Sequence, residues 1–191
     1  MSKIILIGVV FMSIMLRVGS GVIASDSALN SSNAAADLRY QRVTEENIAI
    51  LLNLGQAYEA EFSKITGKIP NEMGVFQLDT MPKNPYTGYL FYEKSVPVGF
   101  CIINTRVNPM DIAEFYIIPS KRNQKLGMTF AHSIFKKYPG TWQVRQIQGA
   151  DHAVKFWRRV IGGYTSGNYN EEVVEDPDWG VVTKQTFLSV K

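Results

Sequence analysis

Strand-like runs in this chain occur in two contexts, and their combination restricts the fold. Tyr89 to Glu93 and Val98 to Asn104 are separated only by a short turn, which predicts a β-hairpin. Further along, the strand-like run Thr141 to Gln148 lies between two segments of helical periodicity, Leu126 to Tyr138 and Ala153 to Ile161. A hairpin makes neighbouring strands antiparallel, whereas an intervening helix permits parallel neighbours. The chain is therefore expected to form an α/β fold, in which helices cover a mixed sheet.

The other predicted elements give the order β-α-loop-β-β-β-α-β-α-β-β. Leu38 to Val43 is expected to be a strand, and Thr44 is expected to cap a helix that ends at Gly67. Residues 68–88 are rich in proline and glycine and are expected to be loop. The remaining expected features are a strand at 111–118, a helix end at Gly162 and Gly163, and strands at 169–174 and 181–190.

The first 36 residues have the composition of a targeting segment and a linker. Lys3 gives a positive start, and Ile4 to Leu16 is an apolar run shorter than a spanning helix requires. Val22-Ile-Ala24 supplies the short side chains found before a cleavage site. The predicted organisation is a signal peptide or membrane anchor at 1–24, a flexible tether at 25–36 and a folded domain at 37–191.

Three locations follow from alternative interpretations of this segment. Cleavage gives an exported protein, periplasmic or secreted, and an uncleaved segment gives an N-terminal anchor. Translation from Met12 or Met15 gives a cytoplasmic product instead. N-terminal sequencing of the mature protein distinguishes them, and an intact Met1 would contradict cleavage.

Charge and cysteine content exclude several functions. Of 20 Lys and Arg residues, Lys3 and Arg17 belong to the predicted leader, which leaves 18 basic side chains against 17 acidic ones. A nearly neutral domain has no general electrostatic attraction for nucleic acid. Cys101 is the only cysteine, so no intramolecular disulfide can form, and its apolar surroundings predict a core position. Cys101 and the two histidines, which are distant from it in the sequence, do not form a metal-binding set.

The segment from Asp111 to Ala131 carries the strongest indication of a ligand. A strand leads into a polar turn with three cations, Lys121, Arg122 and Lys125, and a helix with Gly127 in its first turn follows at once. The first amides of a helix lack internal acceptors and lie at the positive end of the dipole, so they can bind a diphosphate that glycine allows to approach. The alternative is an ordinary solvated turn. The two common glycine-rich phosphate motifs do not occur in the chain.

This segment resembles the acyl-CoA signature of GNAT acyltransferases, a Gln or Arg followed by x-x-Gly-x-Gly or Ala. Here it reads Arg122-x-x-Lys125-x-Gly127. Lys125 stands where the family usually has its first glycine, so it either crowds the diphosphate or points outward and adds positive charge.

The flanking segments extend the resemblance to a bacterial group of predicted GNAT acetyltransferases. Ile112 to Ile118 precedes the signature, and Ile134 to Trp142 and Ala153 to Val160 follow it at the intervals expected of that group. The resemblance covers residues 38–190 and is best at 111–170. It implies a mixed, mostly antiparallel central sheet with helices on both faces.

The resemblance also implies a co-substrate and a reaction. Acetyl-CoA is the implied co-substrate, and an amine acceptor attacks its thioester directly, without a metal or a protein nucleophile. The strand before the signature would separate from its neighbour to pair with pantetheine, and the helix amides would hold the diphosphate. The cofactor-binding residues implied in this way are Phe115, Tyr116, Ile117, Ile118, Arg122, Asn123, Gln124, Lys125, Leu126, Gly127, Met128 and Phe156.

Proton transfer requires two further roles. A protonated amine is not a nucleophile, and Glu114 is the candidate base because burial in an apolar strand would raise its pKa. Alternatively, Glu114 pairs with a cation or binds substrate. The family often has a tyrosine acid where this chain has Phe156 and Trp157, so Tyr164 is the candidate acid, unless the thiolate departs unaided. Ala150 replaces a common asparagine.

The acceptor is expected to be a small-molecule or protein amine. Its candidate contacts are Gln56, Tyr58, Glu59, Glu61 and the stretch 70–92, although a solvated helix face explains the same residues. The departures from the signature leave a second interpretation, a catalytically weak GNAT-fold module for acyl-CoA binding or partner interaction. Membrane contact is expected only through an uncleaved N-terminal segment.

Overall fold

The computed structural model describes residues 37–190 of the chain. The predicted leader at 1–24 and tether at 25–36 lie outside the described residues and stay predictions. The elements are β1 (Leu38–Arg42), α1 (Ile48–Thr66), β2 (Tyr86–Glu93), β3 (Val96–Asn104), β4 (Met110–Ile117), a 3-10 turn (Pro119–Lys121), α2 (Leu126–Lys137), β5 (Gly140–Ile147), α3 (Asp151–Thr165), β6 (Tyr169–Asp176) and β7 (Gly180–Ser189).

The strands form one sheet in the order β1-β2-β3-β4-β5-β7-β6. Every neighbouring pair is antiparallel except β4 and β5, which are parallel because α2 connects them. The predicted fold class, a mixed and mostly antiparallel sheet with helices on both faces, is confirmed.

Two apolar cores lie on opposite faces of the sheet. α1 covers one face, and its Leu51 packs with Leu90, Phe100 and Ile102 of the strands. α2 and α3 cover the other face, where Cys101 is fully buried, as predicted for a core residue. The large buried side chains of this second core include Phe130, Ile134, Phe135, Trp142, Trp157, Val160 and Ile161. Among the helices of residues 37–190, none is both long and apolar enough to span a membrane.

The start of α1 and the end of α3 differ from the predictions. Asn47, not Thr44, precedes α1, and its side chain accepts a hydrogen bond from the Thr44 amide while donating to the Arg42 carbonyl. The predicted end of α1 at Gly67 is confirmed, since Gly67 has a φ of 69° and donates to the Ser63 carbonyl. Asparagine thus stabilises a turn before the helix, so α1 begins at Ile48.

Gly162 and Gly163 do not end α3, contrary to prediction. The helix continues to Thr165 because Tyr164 packs edge-on against Phe135 and its hydroxyl contacts Ser189. These tertiary contacts outweigh the cost of glycine in a helix, about 1 kcal/mol for each residue.

The segment between α1 and β2 is a loop, as predicted, and hydrogen bonds from α1 and Lys68 hold its middle. The Gln56 side chain donates to the Phe76 carbonyl and accepts from the Phe76 amide at 2.9 and 2.8 Å. Lys68 contacts Glu59 of α1 and Asp79 of the loop, both at 2.7 Å, and also bonds the Gln77 carbonyl. The loop is therefore fixed over the sheet next to β4.

Candidate active site

β4 and β5 separate halfway along their length. They pair only from Met110–Trp142 to Ile112–Val144, so residues 113–117 of β4 and 145–147 of β5 diverge. A β-bulge at Ala113 of β4, opposite Ile102 and Ile103 of β3, lies at the point of separation. A cavity of about 410 Å³ occupies the opening. The free edge of β4 therefore exposes the backbone of Phe115 to Ile117, part of the predicted pantetheine edge.

The two faces of the opening differ because side chains alternate along each strand. Trp142 and Val144 belong to the core beneath α2 and α3, and Gln146 follows them on that face. Arg145 lies on the other face, as does Glu114, which contacts Tyr58 of α1. The cavity thus joins the face covered by α2 and α3 with a face that carries carboxylates.

Glu114 lies on the wall of this cavity with 7% of its surface exposed. Burial raises its pKa from 4.5 to about 7, and the nearby Glu59 and Asp79 add to the effect. The Tyr58 hydroxyl donates to Glu114 Oε2 at 2.6 Å, which opposes that rise. Burial and the Glu114 carboxylate raise the pKa of Tyr58, so its hydroxyl stays protonated as a donor. A carboxyl with this pKa can accept a proton near neutral pH.

Arg145 links three strands beside the opening. It contacts Asp176 of β6 at 2.6 Å and Asp111 of β4 at 2.9 Å, and both carboxylates are buried. Trp179, in the turn between β6 and β7, is 41% exposed and lines the same cavity. Sequence reasoning missed these residues because they look like ordinary strand and turn positions, and only the strand register brings them together.

The start of α2 presents a run of free amides. Among the described residues, none of the N–H groups from Asn123 to Met128 has a hydrogen-bond acceptor, and no side chain caps the helix. The first amide with a partner is that of Thr129, which donates to the Lys125 carbonyl. The Arg122 amide is occupied because it donates to the Pro119 carbonyl. The free amides fit a diphosphate, and the backbone N–H of Arg122 is not one of them.

Two of the three cations at this turn already have partners. Lys121 forms a salt bridge with Glu93. Arg122 donates to the Ile117 carbonyl at 2.8 Å and pairs with Glu61 at 2.9 Å. Lys125 is exposed, and its side chain makes no hydrogen bond or salt bridge to residues 37–190. Of the three, Lys125 has the most freedom to reach an anion.

Lys125 has the backbone conformation of the glycine it replaces. Its φ of 62° and ψ of 1° lie in the left-handed region, which glycine adopts at lower cost. Its side chain is exposed, and which of the two arrangements it takes beside a ligand stays a prediction.

Lys125→Gly is expected to raise the free energy of unfolding by about 0.5–1 kcal/mol. Relief of the left-handed conformation exceeds the added entropy of the unfolded chain. Urea denaturation measures the change. Lys155→Gly, at an exposed position inside α3, is the control and should lower stability by about 1 kcal/mol. Equal losses in both variants would contradict strain at Lys125.

Gly127 lies where a side chain would make tight contacts within the protein. A Cβ at this position would lie 3.1 Å from the Phe156 ring and 3.4 Å from Ile117. Phe156 in turn packs against Phe115 with ring centroids 5.6 Å apart. The missing side chain therefore brings α3 against the start of α2, and close approach of a ligand remains a prediction.

Tyr164, the predicted acid, does not line the cavity that contains Glu114. Its hydroxyl contacts Ser189 Oγ at 2.8 Å, and its ring packs against Phe135 and His132. It lines a separate open cleft of about 880 Å³ with Lys136 and other residues near the end of β7. A tyrosine seven residues beyond Trp157 on α3 is about 10 Å further along the helix axis.

Of the four α1 residues considered for acceptor binding, only Tyr58 lines the cavity. Gln56 and Glu59 hold the loop, and Glu61 contacts Arg122 and Tyr116. Burial and the hydrogen bond to Glu61 raise the pKa of Tyr116 to about 12.

In the described part of the chain, no three His, Cys, Asp or Glu residues are grouped as a metal site would require.

The separated parallel strands, the free amides at the start of the following helix and the buried carboxyl together form the candidate active site. No protein-family model matches the chain, and no curated protein matches its sequence.

Solved structures do match the fold. An acetyltransferase from Thermus thermophilus is 14% identical, with a TM-score of 0.59 over 79% of this chain and 96% of that one. An aminoglycoside acetyltransferase bound to coenzyme A is 12% identical, with a TM-score of 0.58 over 80% and 95%. Spermidine N-acetyltransferase from Vibrio cholerae is 10% identical, with a TM-score of 0.52 over 80% and 94%. The chain has the GNAT N-acetyltransferase fold.

Proposed function

We propose that this protein is an N-acetyltransferase that transfers an acetyl group from acetyl-CoA to a primary amine. The observation that carries the proposal is the position of Glu114, buried on the cavity wall where β4 and β5 separate. The free amides at the start of α2 support it, because they can bind the diphosphate of the co-substrate. The fold shared with acetyltransferases is consistent with this activity.

Each residue has a defined part in the proposed reaction. Acetyl-CoA supplies the acetyl group as a thioester. Glu114, as the carboxylate, accepts the proton that the amine loses, and Tyr58 holds it in place. Attack on the thioester carbon forms the C–N bond and breaks the C–S bond. The departing thiolate takes up a proton from solvent, and Glu114 returns its own proton to solvent. No tyrosine at the position of Trp157 is needed if the thiolate departs in this way.

The acceptor end of the cavity suits a cationic amine. Asp79, Asp111, Glu114 and Asp178 line it against one cation, Arg145. Trp179 adds an exposed aromatic surface. Both a small amine and a protein amine fit this description, and the similar structures include enzymes named for spermidine and for aminoglycosides.

Leader-directed export of the enzyme remains part of the proposal.

Acetyl-CoA is expected to stabilise the fold. At about 100 times its dissociation constant it should raise the free energy of unfolding by about 2.7 kcal/mol. For a domain of this size, that corresponds to a rise in Tm of about 5–10 °C. Thermal denaturation with acetyl-CoA measures the shift, and pantetheine, which lacks the diphosphate, is the control. An unchanged Tm at millimolar acetyl-CoA would reject a CoA-dependent function.

The second candidate function is a GNAT-fold module that binds acyl-CoA with little catalysis. It is favoured by Lys125, Ala150 and Trp157, which replace residues that the family commonly uses. Thiol release from acetyl-CoA with a panel of amines separates the two. A thermal shift without thiol release for any amine would favour the binding module.

A further inference from the structure

Gln146 is a buried polar side chain without a partner. It lies on β5 with 4% of its surface exposed, and neither its Oε1 nor its Nε2 has a hydrogen-bond partner in residues 37–190. Glu114 on the opposite face, by contrast, is bonded to Tyr58. A buried amide that bonds to nothing is destabilising, so native proteins rarely retain one without a role.

Gln146 lies in the wall of the opening of the sheet. Gln146 follows Val144, the last β5 residue paired with β4, by two residues and lines the 410 Å³ cavity with Phe115 and Trp157. It lies on the face covered by α2 and α3, whereas Glu114 lies on the α1 face. A ligand that reached from the α2 amides to Glu114 would therefore pass Gln146.

The chemistry of the side chain defines what it can bind. A primary amide has an N–H donor and a carbonyl acceptor side by side, and the complementary group is a secondary amide, which offers one of each. The pantetheine arm of coenzyme A contains two secondary amides in an extended chain. An apolar ligand in the cavity would leave both atoms of Gln146 unpaired, at a cost in affinity.

We propose that Gln146 binds a secondary amide of the pantetheine arm through its own side-chain amide, in addition to any contact with the strand backbone. This inference rests on the proposed function. It makes Gln146 a binding residue whose polarity is retained for the ligand-bound state. The same polarity lowers the stability of the ligand-free fold. Removing it should therefore weaken ligand binding and raise the ligand-free Tm, and both changes can be measured.

The test compares two ligands and two glutamines. Gln146→Met keeps the side-chain length and removes both polar atoms. Gln143→Met is the matched control, since Gln143 lies on the same strand and faces away from the α2–α3 core. Calorimetry measures the Kd of coenzyme A and of 3′-phospho-ADP, the same nucleotide without pantetheine.

Gln146→Met is expected to weaken coenzyme A binding by about tenfold or more, as loss of hydrogen bonds to a buried amide requires. Binding of 3′-phospho-ADP should stay within about twofold, and the ligand-free Tm should rise by about 2–6 °C. Gln143→Met should leave both Kd values unchanged. Gln146→Leu takes its place if the first variant does not fold.

Two results would overturn the assignment while leaving the proposed function standing. In one, the variant binds coenzyme A as tightly as the wild type, which means that water or protein satisfies Gln146. In the other, both ligands weaken equally, which indicates a structural role. Wild-type protein that binds neither ligand would overturn the proposed function and this inference together.

Discussion

Glu114→Gln is expected to lower kcat/KM for amine acetylation by about 10²–10⁴-fold, the usual contribution of a positioned general base. The substitution keeps the volume of the side chain and an oxygen that can accept the Tyr58 hydrogen bond. It removes only the ability to accept a proton. In the wild type, kcat/KM should rise with pH through about 7, where the buried carboxyl becomes charged. That limb of the pH profile should be absent from the variant.

Thiol release at pH 6 to 9 with saturating acetyl-CoA measures this effect. Glu172→Gln is the control, because Glu172 is 44% exposed, pairs with Lys184 on β7 and lies away from the cavity. A Glu114→Gln enzyme with an unchanged pH profile would show that Glu114 is not the base. Loss of coenzyme A binding in the variant would instead indicate a structural role.

The same substitution is expected to stabilise the fold at alkaline pH. The folded-state pKa of Glu114 lies above its ordinary value of 4.5, at about 7, so folding favours the protonated form. Between pH 4.5 and 7 the folded state binds more protons than the unfolded state, and wild-type stability falls as pH rises. Above pH 7 the penalty is complete and amounts to about 3 kcal/mol. Glutamine cannot ionise, so the variant escapes this penalty.

Urea denaturation of both proteins at pH 4 and pH 8 measures the difference. The two free energies of unfolding should be similar at pH 4, and the variant should be more stable at pH 8. Glu172→Gln should change stability by less than about 1 kcal/mol at either pH, as is usual for an exposed ion pair. A less stable Glu114→Gln variant at pH 8 would mean that its site favours the carboxylate, contrary to the role of a base near neutral pH.

Local signals predicted the elements of the fold well. Apolar periodicity located α1 and α2, and Gly67 marked the end of α1, because a left-handed residue is what terminates a helix. Gly162 and Gly163 also predicted a helix end, but the helix continues past them. No local rule accounts for the packing of Tyr164 on Phe135. Propensity differences of about 1 kcal/mol are readily outweighed by burial of an aromatic ring.

The candidate site was only partly predictable. Glu114 stood out as a carboxylate in an apolar strand, and the free amides follow from any helix that begins after a polar turn. The contact between Tyr58 and Glu114 joins residues 56 positions apart and depends on where α1 crosses the sheet. Gln146 gave no local signal, because its importance lies in the register at which β4 and β5 stop pairing.

The ion bridge made by Arg145 has a consequence for how the sheet behaves without ligand. Where β4 and β5 lose their backbone hydrogen bonds, Arg145 still connects β4 to β6 through Asp111 and Asp176. The first β5 residue beyond the paired segment is thereby held between two buried carboxylates. An incoming thioester would find no strand pairing to disrupt in the opening before it enters.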